Sequence, residues 1–552
     1  MNKLVTKEYG KKNFDILRNE FEYHCVYILE NGKKAYVGET RSIAQRAAQH
    51  DYDIEAERSY VKQIKFDRIH VIGGENGEAT PAEHFEYLLI RLMQADKKFE
   101  VINKKNVKMP HYGLVRTGEF EECFDALWSD FVKAKLFNAN AFKDITNLSI
   151  YKHSPYMSLT AKQEDALDIV LRVLNSGELK TTNKRYKNRV ALISGDAGTG
   201  KTVVAVRILY HLKNDRNFKD KKIALVYSQP TMREKIRAAI RGFKGLKTCN
   251  VIAPVDVTKQ KYDILICDEA HRLRRGKGLG NYFTAFKQGS DRILAKMGCN
   301  KANLDELDWI LENSDYQVLL YDNKQIIGPA DLDNASFEER VGISSKKERH
   351  GFRKISLNEQ MRIKAGDEYV PYIFNILWQR SNEKKSFSNY DFKLFDNFAD
   401  MIHLIREKEE ANGLSRLCGG YAWKWVSKDK NIPTDITIDD IKIKWNSQTS
   451  GWIDNQMVKN EMGSIYTLAG LDLNYAGVVI GPDLFFDEID NSIKVKRENV
   501  FDNVVKSIKD SDEIKKYILN IYAVLLTRGI LGTYVYVCDN KLREYFKQYI
   551  DM

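Results

Sequence analysis

The sequence predicts a multidomain α/β protein, in which a small α/β domain is followed by two lobes built on parallel sheets. Three observations support this prediction. The chain has 552 residues, more than a single hydrophobic core usually serves. A β-hairpin pattern stands near its start. Further along, an apolar strand leads through a glycine-rich loop into an amphipathic helix, which is the unit from which parallel sheets are built.

Composition and charge describe an ordinary globular protein. Hydrophobic residues make up 43% of the chain, charged residues 30%, and the formal net charge is +11. Such a charge fits a polyanionic partner, but surplus lysine is more often a solvated surface. The seven cysteines are scattered without a Cys-x-x-Cys pair, which favours a reducing cytoplasm over a zinc site or a disulfide framework. No apolar run approaches the roughly 20 residues of a membrane span, and no leader pattern opens the chain. We therefore expect a cytoplasmic protein without a membrane partner.

The first domain begins with a hairpin signal. An Asn-Gly dipeptide at 31–32 separates two β-rich runs in VYILENGKKAYVGETRSIAQRAAQH, and this dipeptide is typical of hairpin turns. Tyr27 then lies on one strand and Tyr36 on the other. The segment RSIAQRAAQH predicts a helix, on which Arg46 and His50 share one face. Any one of these residues alone is more often a packing residue than a functional one.

In order and spacing these residues resemble the GIY-YIG endonuclease family, over roughly residues 20 to 108. The two signature triplets read Cys25-Val26-Tyr27 and Tyr36-Val37-Gly38. A cysteine thus replaces the first glycine of the family, a change that we expect to be tolerated. The metal-binding glutamate of the family best matches Glu86, in the predicted helix TPAEHFEYLLIRLMQ, and Glu83 is the alternative.

The resemblance implies cleavage of a phosphodiester, and the residue types suit that chemistry. Glu86 can hold Mg²⁺ with most of its waters, and Mn²⁺ can take the same place. Arg46 would set a bidentate cation against the developing phosphate charge. The family makes a tyrosine, here Tyr27, the group that deprotonates or orients water, with Tyr36 and His50 positioning it or relaying protons. Since a tyrosine pKa of about 10 is high for a base, the metal and Arg46 would have to lower it.

The second motif is a P-loop. RVALISGDAGTGKTVVAVRILYHL gives an apolar strand, the pattern G-x4-G-K-T and an amphipathic helix, which is the context that this motif requires. Its glycines let backbone N–H groups wrap phosphates at a helix N-terminus. Lys201 would reach the β- and γ-phosphates of ATP, and Thr202 would offer its hydroxyl to Mg²⁺. The predicted nucleotide-binding residues of the loop are Gly195, Asp196, Ala197, Gly198, Thr199, Gly200, Lys201 and Thr202.

An acidic pair follows further along the chain. KYDILICDEAHRL is an apolar strand that ends in Asp268 and Glu269. Asp268 can hold the water shell of the metal, and Glu269 can orient the attacking water. Downstream of a P-loop, this pair is a strong Walker B signal.

From about Leu159 to Asp539 the motifs follow the order of superfamily 1 helicases and most resemble the Schlafen-like DNA/RNA helicase domain. Two RecA-like lobes are therefore expected. LTAKQEDAL puts Gln163 where these helicases read adenine, and ALVYSQPT resembles their motif Ia, on the nucleic-acid side. VLLYDNKQII resembles motif III, in which Asp322 and Gln325 would link hydrolysis to strand movement.

Two arginines and one departure complete the resemblance. Arg362 in LNEQMR and Arg528 in YAVLLTRGILGTYVYV resemble the arginines by which the second lobe reaches the γ-phosphate. Motif V usually resembles Gln-Gly-x-Glu, but here it reads Ala469-Gly470-Leu471-Asp472. The missing glutamine amide would have coupled nucleic acid to the ATP site, and Asp472 keeps the charge on a shorter stem. We expect ATP binding and leave processive unwinding open.

We expect a nuclease domain at 1–110, a helical connector at 111–157, a first RecA-like lobe at 158–332 and a second at 333–552. The predicted activity is that of an ATP-dependent endonuclease and helicase that acts on nucleic acid, DNA rather than RNA. Such fusions resemble bacterial anti-phage defence proteins, which implies a homo-oligomer or a defence-system partner. Two alternatives stay open: a repair or recombination helicase whose front domain grips DNA without cutting it, and an ATP-switched sensor acting on RNA.

Overall fold

The computed structural model of the chain forms two compact units, Met1–Thr160 and Ala161–Met552. Each unit contains hydrophobic core clusters of its own. The structure describes residues 3–21, 24–43, 45–46, 65–73, 79–96, 98–103, 117–142, 145, 159–176, 189–241, 243, 245–298, 304–341, 352–381, 383–427, 433–448, 451–453, 455–468 and 470–552.

The first unit is built on a five-stranded sheet. Its strands are β1 (Lys3–Glu8), β2 (Cys25–Glu30), β3 (Lys34–Thr40), β4 (Arg68–Gly73) and β5 (Glu100–Val101). Their order is β1-β4-β2-β3-β5, and only the β3–β5 pair is parallel. Strands β2 and β3 form the hairpin that the sequence predicts. At its turn Gly32 has a φ of 77°, a left-handed conformation that favours glycine.

Side chains of strand β2 point alternately into two cores. Helices α1 (Lys11–Glu20), α2 (Ala79–Asp96) and α3 (Thr117–Lys133) accompany the sheet. Val26 and Ile28 pack in one core cluster with residues of α2 and α3. Tyr27 packs in the other cluster with residues of α1. The two faces of the sheet therefore have different neighbours.

Helix α3 lies in the segment 111–157, which the sequence predicts to be a helical connector. Its aromatic residues Phe124, Trp128 and Phe131 belong to the same core cluster as Val26, and the ring of Phe124 stacks on that of Phe85 with centroids 4.5 Å apart. This apolar face of the helix packs against the sheet and is not exposed to solvent. The segment is consequently part of the first compact unit.

The second unit contains two parallel sheets. The strands of the first are β6 (Val190–Gly195), β7 (Ile223–Val226), β8 (Val251–Ile252), β9 (Tyr262–Cys267), β10 (Ser314–Tyr321) and β11 (Phe352–Leu357). Their order is β11-β6-β10-β9-β7-β8, and each neighbouring pair is parallel. The residues after β6, β9, β10 and β11 therefore meet at one edge, where ligands of such sheets bind. The helices of this lobe are α4 (Ala161–Ser176), α5 (Lys201–Asn214), α6 (Pro230–Ile240), α7 (Pro254–Val257), α8 (Phe283–Met297), α9 (Glu306–Glu312) and α10 (Asn334–Val341).

Strand β11 extends the first sheet beyond the predicted lobe boundary at 332/333. It pairs with the P-loop strand β6 in parallel register, from Phe352 opposite Val190 to Leu357 opposite Gly195. The first lobe thus reaches at least to Leu357. The sequence pattern does not reveal this pairing, because β11 is distant in the chain from the strand beside which it lies.

The second sheet is formed by five of the remaining strands, all parallel. The remaining strands are β12 (Asp391–Phe395), β13 (Ser415–Gly419), β14 (Ile436–Ile438), β15 (Ile441–Ile443), β16 (Met462–Ser464), β17 (Leu473–Ile480), β18 (Leu484–Asp487), β19 (Ser492–Val495) and β20 (Gly529–Val537). The sheet order is β12-β20-β17-β13-β16, and β14–β15 and β18–β19 are separate hairpins. The helices are α11 (Tyr369–Leu377), α12 (Phe398–Asn412), α13 (Ile465–Leu468), α14 (Asn503–Lys506), α15 (Ser511–Leu526) and α16 (Asn540–Lys547).

The predicted fold class, a small α/β domain followed by two parallel-sheet lobes, is confirmed. Within the described part of the chain, no helix combines the length and the apolar character needed to cross a membrane.

A buried ion pair joins helix α12 to strand β13. Arg416 Nη1 lies 2.6 Å from Glu409 Oε2, and Arg416 is fully buried. The Glu409 carboxylate also accepts a hydrogen bond from Ser415 N at 2.7 Å. Loss of the arginine would leave a buried carboxylate without its counter-charge.

We predict that Arg416→Met lowers the free energy of unfolding by about 3–5 kcal/mol, because it uncovers that buried charge. Arg406→Met is the control, since Arg406 is exposed on the same helix as Glu409, and it should change stability by no more than about 0.5 kcal/mol. Chemical denaturation of the whole chain measures both values. Equal effects of the two substitutions would contradict the role of the pair.

Candidate active sites

The P-loop between β6 and α5 has its carbonyl oxygens held from three directions. The five carbonyl oxygens are those of residues 195 to 199, in chain order. Lys201 Nζ donates hydrogen bonds to the first two, those of Gly195 and Asp196, at 2.8 and 2.9 Å. Gln360 Nε2 donates to the third at 2.8 Å, the N–H of Met361 to the fourth at 3.0 Å, and Gln163 Nε2 to the fifth at 2.8 Å. A loop whose carbonyl oxygens are engaged in this way can turn its N–H groups towards a phosphate.

Two glycines make this arrangement possible. Gly198 and Gly200 have φ values of 86° and 79°, in the left-handed region that favours glycine. A Cβ atom on Gly198 would lie 2.0 Å from Gln360 Oε1, and one on Gly200 would lie 2.2 Å from Gln163 Nε2. The glycine pattern of the motif therefore makes room for two glutamine side chains as well as for a phosphate. The amide of Gln163, which we expected to read adenine, holds the loop in this structure.

The acidic pair lies at the end of β9, beside the loop. Asp268 Oδ1 accepts a hydrogen bond from Glu269 N at 2.9 Å, and Glu269 has a φ of 51°. His271 Nε2 lies 2.8 Å from Glu269 Oε2, while His271 Nδ1 accepts a hydrogen bond from Asp322 N at 3.3 Å. The histidine therefore connects the acidic pair to the segment after β10.

The two carboxylates have opposite pKa shifts. Burial raises the pKa of Asp268 to about 7, the charge of Glu269 raises it too, and Thr202 and Lys201 partly offset both. Burial alone would also raise the pKa of Glu269, but His271, Lys201 and Arg272 hold it below its ordinary value. Glu269 is thus ionised at neutral pH, whereas Asp268 needs a further positive charge to stay ionised.

A hydrogen-bonded row runs from the P-loop to the second lobe. Lys201 Nζ lies 3.4 Å from Asp322 Oδ2, and Gln325 Nε2 donates to the same oxygen at 2.7 Å. Arg528 Nη2 in turn donates to Gln325 Oε1 at 3.0 Å. Gln325, predicted to bind nucleotide, thereby links the motif III segment to an arginine of the second lobe.

Arg362 faces motif V. Its Nη1 donates to Asp472 Oδ1 at 2.6 Å, and its Nη2 donates to the carbonyl oxygen of Thr527 at 2.9 Å. Arg362 follows the end of β11, and both of these partners lie far beyond β11 in the chain, so its origin in the second lobe stays a prediction. Arg528 precedes β20 and does come from the second lobe. Within motif V, Ala469 lies outside the described residues.

The residues at this edge fit a nucleotide with Mg²⁺. Asp268 Oδ2 and Arg362 Nε are buried, and neither has a hydrogen-bond partner among the residues that the structure describes. The first is an acceptor suited to a metal or its water, and the second is a donor suited to a phosphate. No group of three or more His, Cys, Asp or Glu side chains able to hold a metal occurs in the described ranges. Mg²⁺ bound by one or two carboxylates and by substrate phosphates does not need such a group.

The front unit brings three of its predicted site residues together. Tyr27 is buried on β2, and its ring centroid lies 6.1 Å from that of Tyr36 on β3. Arg46 Nε donates to the Tyr27 hydroxyl at 3.3 Å. A Cβ atom on Gly38 would lie 2.5 Å from that hydroxyl. The glycine of the second triplet therefore makes room for the tyrosine of the first.

The environment of Tyr27 keeps its hydroxyl protonated. Burial raises the pKa of Tyr27 well above its ordinary value and Tyr36 adds to this, while Arg46 acts in the opposite direction. The expectation that the arginine lowers this pKa holds in direction, but burial outweighs it. A protonated phenol can orient a water molecule or a phosphate oxygen by hydrogen bonds.

The remaining predicted residues of the front domain are Glu86, His50 and the alternative Glu83. Glu86 is half-buried on α2, a helix whose core residues pack against the face of the sheet opposite Tyr27. His50 and the side chain of the alternative Glu83 lie outside the described residues. Asn103, which follows the predicted helix in the segment EVINKKN, exchanges two hydrogen bonds with the backbone of Val37, at 3.1 and 2.6 Å. It thereby fixes strand β3, which carries Tyr36.

A comparison with protein families identifies both parts of the chain. The model described as "Schlafen group 3, DNA/RNA helicase domain" matches residues 188–539, more than half of the chain. The chain belongs to this Schlafen group 3 helicase family. The model of the GIY-YIG catalytic domain matches residues 23–100. Both resemblances drawn from the sequence are thus confirmed, and the chain combines a nuclease domain with a helicase domain, both of the hydrolase class.

Individual relatives are more distant. The uncharacterized protein YPL245W of Saccharomyces cerevisiae is 26% identical over 418 residues, which cover 70% of this chain and 90% of the yeast protein. Among solved structures, the Pif1 helicase of Candida albicans is 12% identical with a TM-score of 0.28, covering 71% of this chain and 99% of its own. The PRRSV helicase is 12% identical with a TM-score of 0.28 over 69% of this chain. The chain spans 56% of that viral protein and 61% of the arterivirus nonstructural protein 10 helicase, which is 10% identical with a TM-score of 0.29.

Three residues of the helicase site were not singled out from the sequence. His271 connects the acidic pair to Asp322, and its place in the Asp-Glu-Ala-His run was the available signal. Lys324 pairs with Asp196 of the P-loop at 2.7 Å. Gln360 lies in the quoted segment LNEQMR, but its pattern gives no sign of a contact with a loop far earlier in the chain.

We predict that Gly38→Ala slows nucleic-acid cleavage, because the new methyl group displaces the Tyr27 hydroxyl from Arg46. A displacement of about 1 Å can lower a rate roughly 10²-fold. Nicking of supercoiled plasmid with Mg²⁺ measures the rate. Gly10→Ala is the matched control, since a Cβ there meets nothing within 4 Å. Wild-type cleavage by Gly38→Ala would show that the position of Tyr27 is not critical.

We predict that Asp268→Asn stabilises the metal-free protein at pH 8. The pKa of Asp268 is raised from 3.8 to about 7 on folding, so its contribution to stability is present below pH 4 and lost as the pH rises through 7. The advantage of Asp268→Asn in thermal unfolding should therefore shrink as the pH falls towards 4. Glu269→Gln is the control of opposite sign and should lower stability at pH 8. If the gain in thermal stability of Asp268→Asn does not change with pH, the raised pKa of Asp268 is contradicted.

Proposed function

We propose that this chain is an ATP-dependent nucleic-acid-processing enzyme, in which the helicase part controls cleavage by the GIY-YIG part. The observation that supports ATP hydrolysis best is the P-loop itself, with its carbonyl oxygens engaged and with Glu269 and two arginines nearby. In this proposal Lys201 leaves the carbonyls of Gly195 and Asp196 to contact the β- and γ-phosphates, and Glu269 orients the attacking water. Arg362 and Arg528 stabilise the charge that develops on the γ-phosphate.

Mg²⁺ would be held by Thr202 and by Asp268, whose free oxygen needs a positive partner. When bound, the ion supplies electrostatic stabilisation of the phosphate charge. Lys201 and Asp322 are already in contact, so binding of a triphosphate replaces an internal ion pair by a pair with the ligand. Gln163 keeps the loop in shape and can also lie near the adenine base.

For cleavage, we propose that Arg46 contacts the scissile phosphate and that Tyr27 orients the attacking water as a hydrogen-bonding phenol. Tyr36 and His50 position these groups or relay a proton. Glu86 would hold Mg²⁺, or Mn²⁺ in its place, through a single carboxylate and its waters. The alternative carboxylate is Glu83.

We propose the domain extents as follows. The nuclease domain is 1–110, and the helical segment 111–157 belongs with it. The first RecA-like lobe begins at 158 and continues past 332 to the end of β11, and the rest of the chain to 552 forms the second lobe. The substrate is proposed to be DNA rather than RNA.

We further propose a cytoplasmic role in anti-phage defence, as a homo-oligomer or with a partner protein. This part of the proposal rests on the resemblance of the domain pairing to bacterial defence proteins. A repair or recombination helicase whose front domain grips DNA without cutting it is the rival function for the same fold.

One observation favours a second candidate, an ATP-operated switch that senses RNA without translocating. Arg362 is paired with Asp472 at 2.6 Å, so motif V is attached directly to an ATP-site arginine. Such a contact can report the nucleotide state without strand movement. Displacement of a labelled strand from a duplex separates a motor from a switch.

The test is cleavage of plasmid and linear DNA with Mg²⁺, with and without ATP. We expect Glu86→Ala to abolish cutting, because it removes the metal ligand, and Lys201→Ala to remove only the ATP dependence. Glu83→Ala is the matched control on the same helix and should cut like the wild type.

The opposite outcomes have distinct meanings. If Glu86→Ala still cuts and Glu83→Ala does not, Glu83 rather than Glu86 is the metal ligand. ATP hydrolysis without cleavage of DNA or RNA would make the front domain a binding module. Cleavage that never responds to ATP would separate the two activities and contradict the proposed control.

A further inference from the structure

The amide of Gln360 contacts two functional elements at once. Its Nε2 donates to the carbonyl oxygen of Ala197, in the middle of the P-loop, at 2.8 Å. Its Oε1 accepts hydrogen bonds from the N–H groups of Arg362 and Ile363, at 3.1 and 3.2 Å. One side chain therefore joins the phosphate-binding loop to the turn that carries the candidate γ-phosphate arginine.

The surrounding backbone fixes this side chain. Gln360 N donates to Asp367 Oδ1 at 2.6 Å, and the next N–H, that of Met361, donates to the carbonyl oxygen of Gly198 at 3.0 Å. The space occupied by the amide exists because Gly198 has no Cβ, which would lie 2.0 Å from Gln360 Oε1. The contact is consequently part of the P-loop conformation.

The turn held by Gln360 leads on to motif V. Arg362 donates to Asp472 Oδ1 at 2.6 Å and to the carbonyl oxygen of Thr527 at 2.9 Å. Because Gln360 accepts from the N–H of Arg362 itself, a shift of the Ala197 carbonyl moves the start of the side chain that reaches Asp472. Gln360 and Arg362 are separated in the chain by a single residue, so the connection between them is short.

We propose that Gln360 is a positioning residue that transmits the conformation of the P-loop to Arg362. When a nucleotide changes the loop, Gln360 sets whether Arg362 lies against Asp472 or against the phosphate. This inference rests on the proposed ATP hydrolysis and adds to it a residue that acts through Arg362 without touching the nucleotide.

Steady-state hydrolysis of ATP in the presence of single-stranded DNA, and in a parallel arm of RNA, tests the proposal in the full-length chain. Gln360→Met keeps the length of the side chain and removes its hydrogen bonds. Gln360→Glu keeps the acceptor for Arg362 N and loses the donor to Ala197. Both should lower kcat about tenfold, while KM for ATP changes less than about threefold.

A matched glutamine elsewhere controls for the substitution itself. Gln379 makes the same two-sided contact on the β18–β19 hairpin, donating to the Asn491 carbonyl at 2.9 Å and accepting from Ile493 N at 2.8 Å. Gln379→Met should hydrolyse ATP like the wild type. Thermal unfolding of each variant shows whether a lowered kcat reflects loss of the fold.

The deciding comparison is the double variant Gln360→Met with Arg362→Ala. If Gln360 acts through Arg362, the double variant has the same kcat as Arg362→Ala alone, because coupled sites are not additive. Multiplied losses, or a wild-type kcat for both Gln360 variants in a wild type that does hydrolyse ATP, overturn the inference and leave the proposed function standing. If the wild type hydrolyses no ATP with either nucleic acid, both the inference and the proposed ATP hydrolysis are overturned. That result comes from the wild type alone and needs no variant.

Discussion

The P-loop carbonyl oxygens each need a donor, and this requirement organises the helicase half of the protein. Lys201 supplies two donors from the helix that follows the loop, Gln163 one from α4, and the segment after β11 two more. These elements come from distant parts of the chain. The parallel pairing of β11 with β6 brings the last of them into place. The sheet order, the position of α4 and the glycine pattern of the loop are thus related consequences of one hydrogen-bonding constraint.

Charge balance around the loop follows from the same arrangement. Lys201, Arg362 and Arg528 are each held by groups of the protein, among them Asp322, Asp472 and Gln325. Burial and the neighbouring Arg362 lower the pKa of Arg528 to about 10, so it stays charged at neutral pH. Buried charges without partners are costly. In the proposed ATPase, a phosphate ligand would exchange existing partners for new ones, and the release of Asp322 and Asp472 would affect neighbouring segments.

The sequence was informative where function depends on adjacent residues and silent where it depends on distant ones. The G-x4-G-K-T loop, Asp268-Glu269 and the hairpin with Tyr27 and Tyr36 could be recognised because each motif is local. The place of β11 in the first sheet could not, since it depends on a long-range strand pairing. The contacts of Gln360 and Asn103 could not be predicted for the same reason: their partners are the P-loop and the backbone of Val37, far away in the chain. Glycines were a partial guide, because Gly38 and Gly198 mark close approaches whose partners the sequence does not name.

The departure in motif V has a structural compensation. Asp472 is shorter than the glutamate of the usual pattern, yet it contacts Arg362 directly at 2.6 Å. Two residues earlier, a Cβ on Gly470 would lie 2.9 Å from Gln229 Oε1 and 3.2 Å from the Tyr227 hydroxyl, so this glycine packs closely on the segment that resembles motif Ia. The short stretch 470–472 thus contacts the segment that resembles motif Ia at one end and Arg362 at the other. Because the close packing at Gly470 leaves little room for independent adjustment, we expect these three residues to couple movements of their two neighbours.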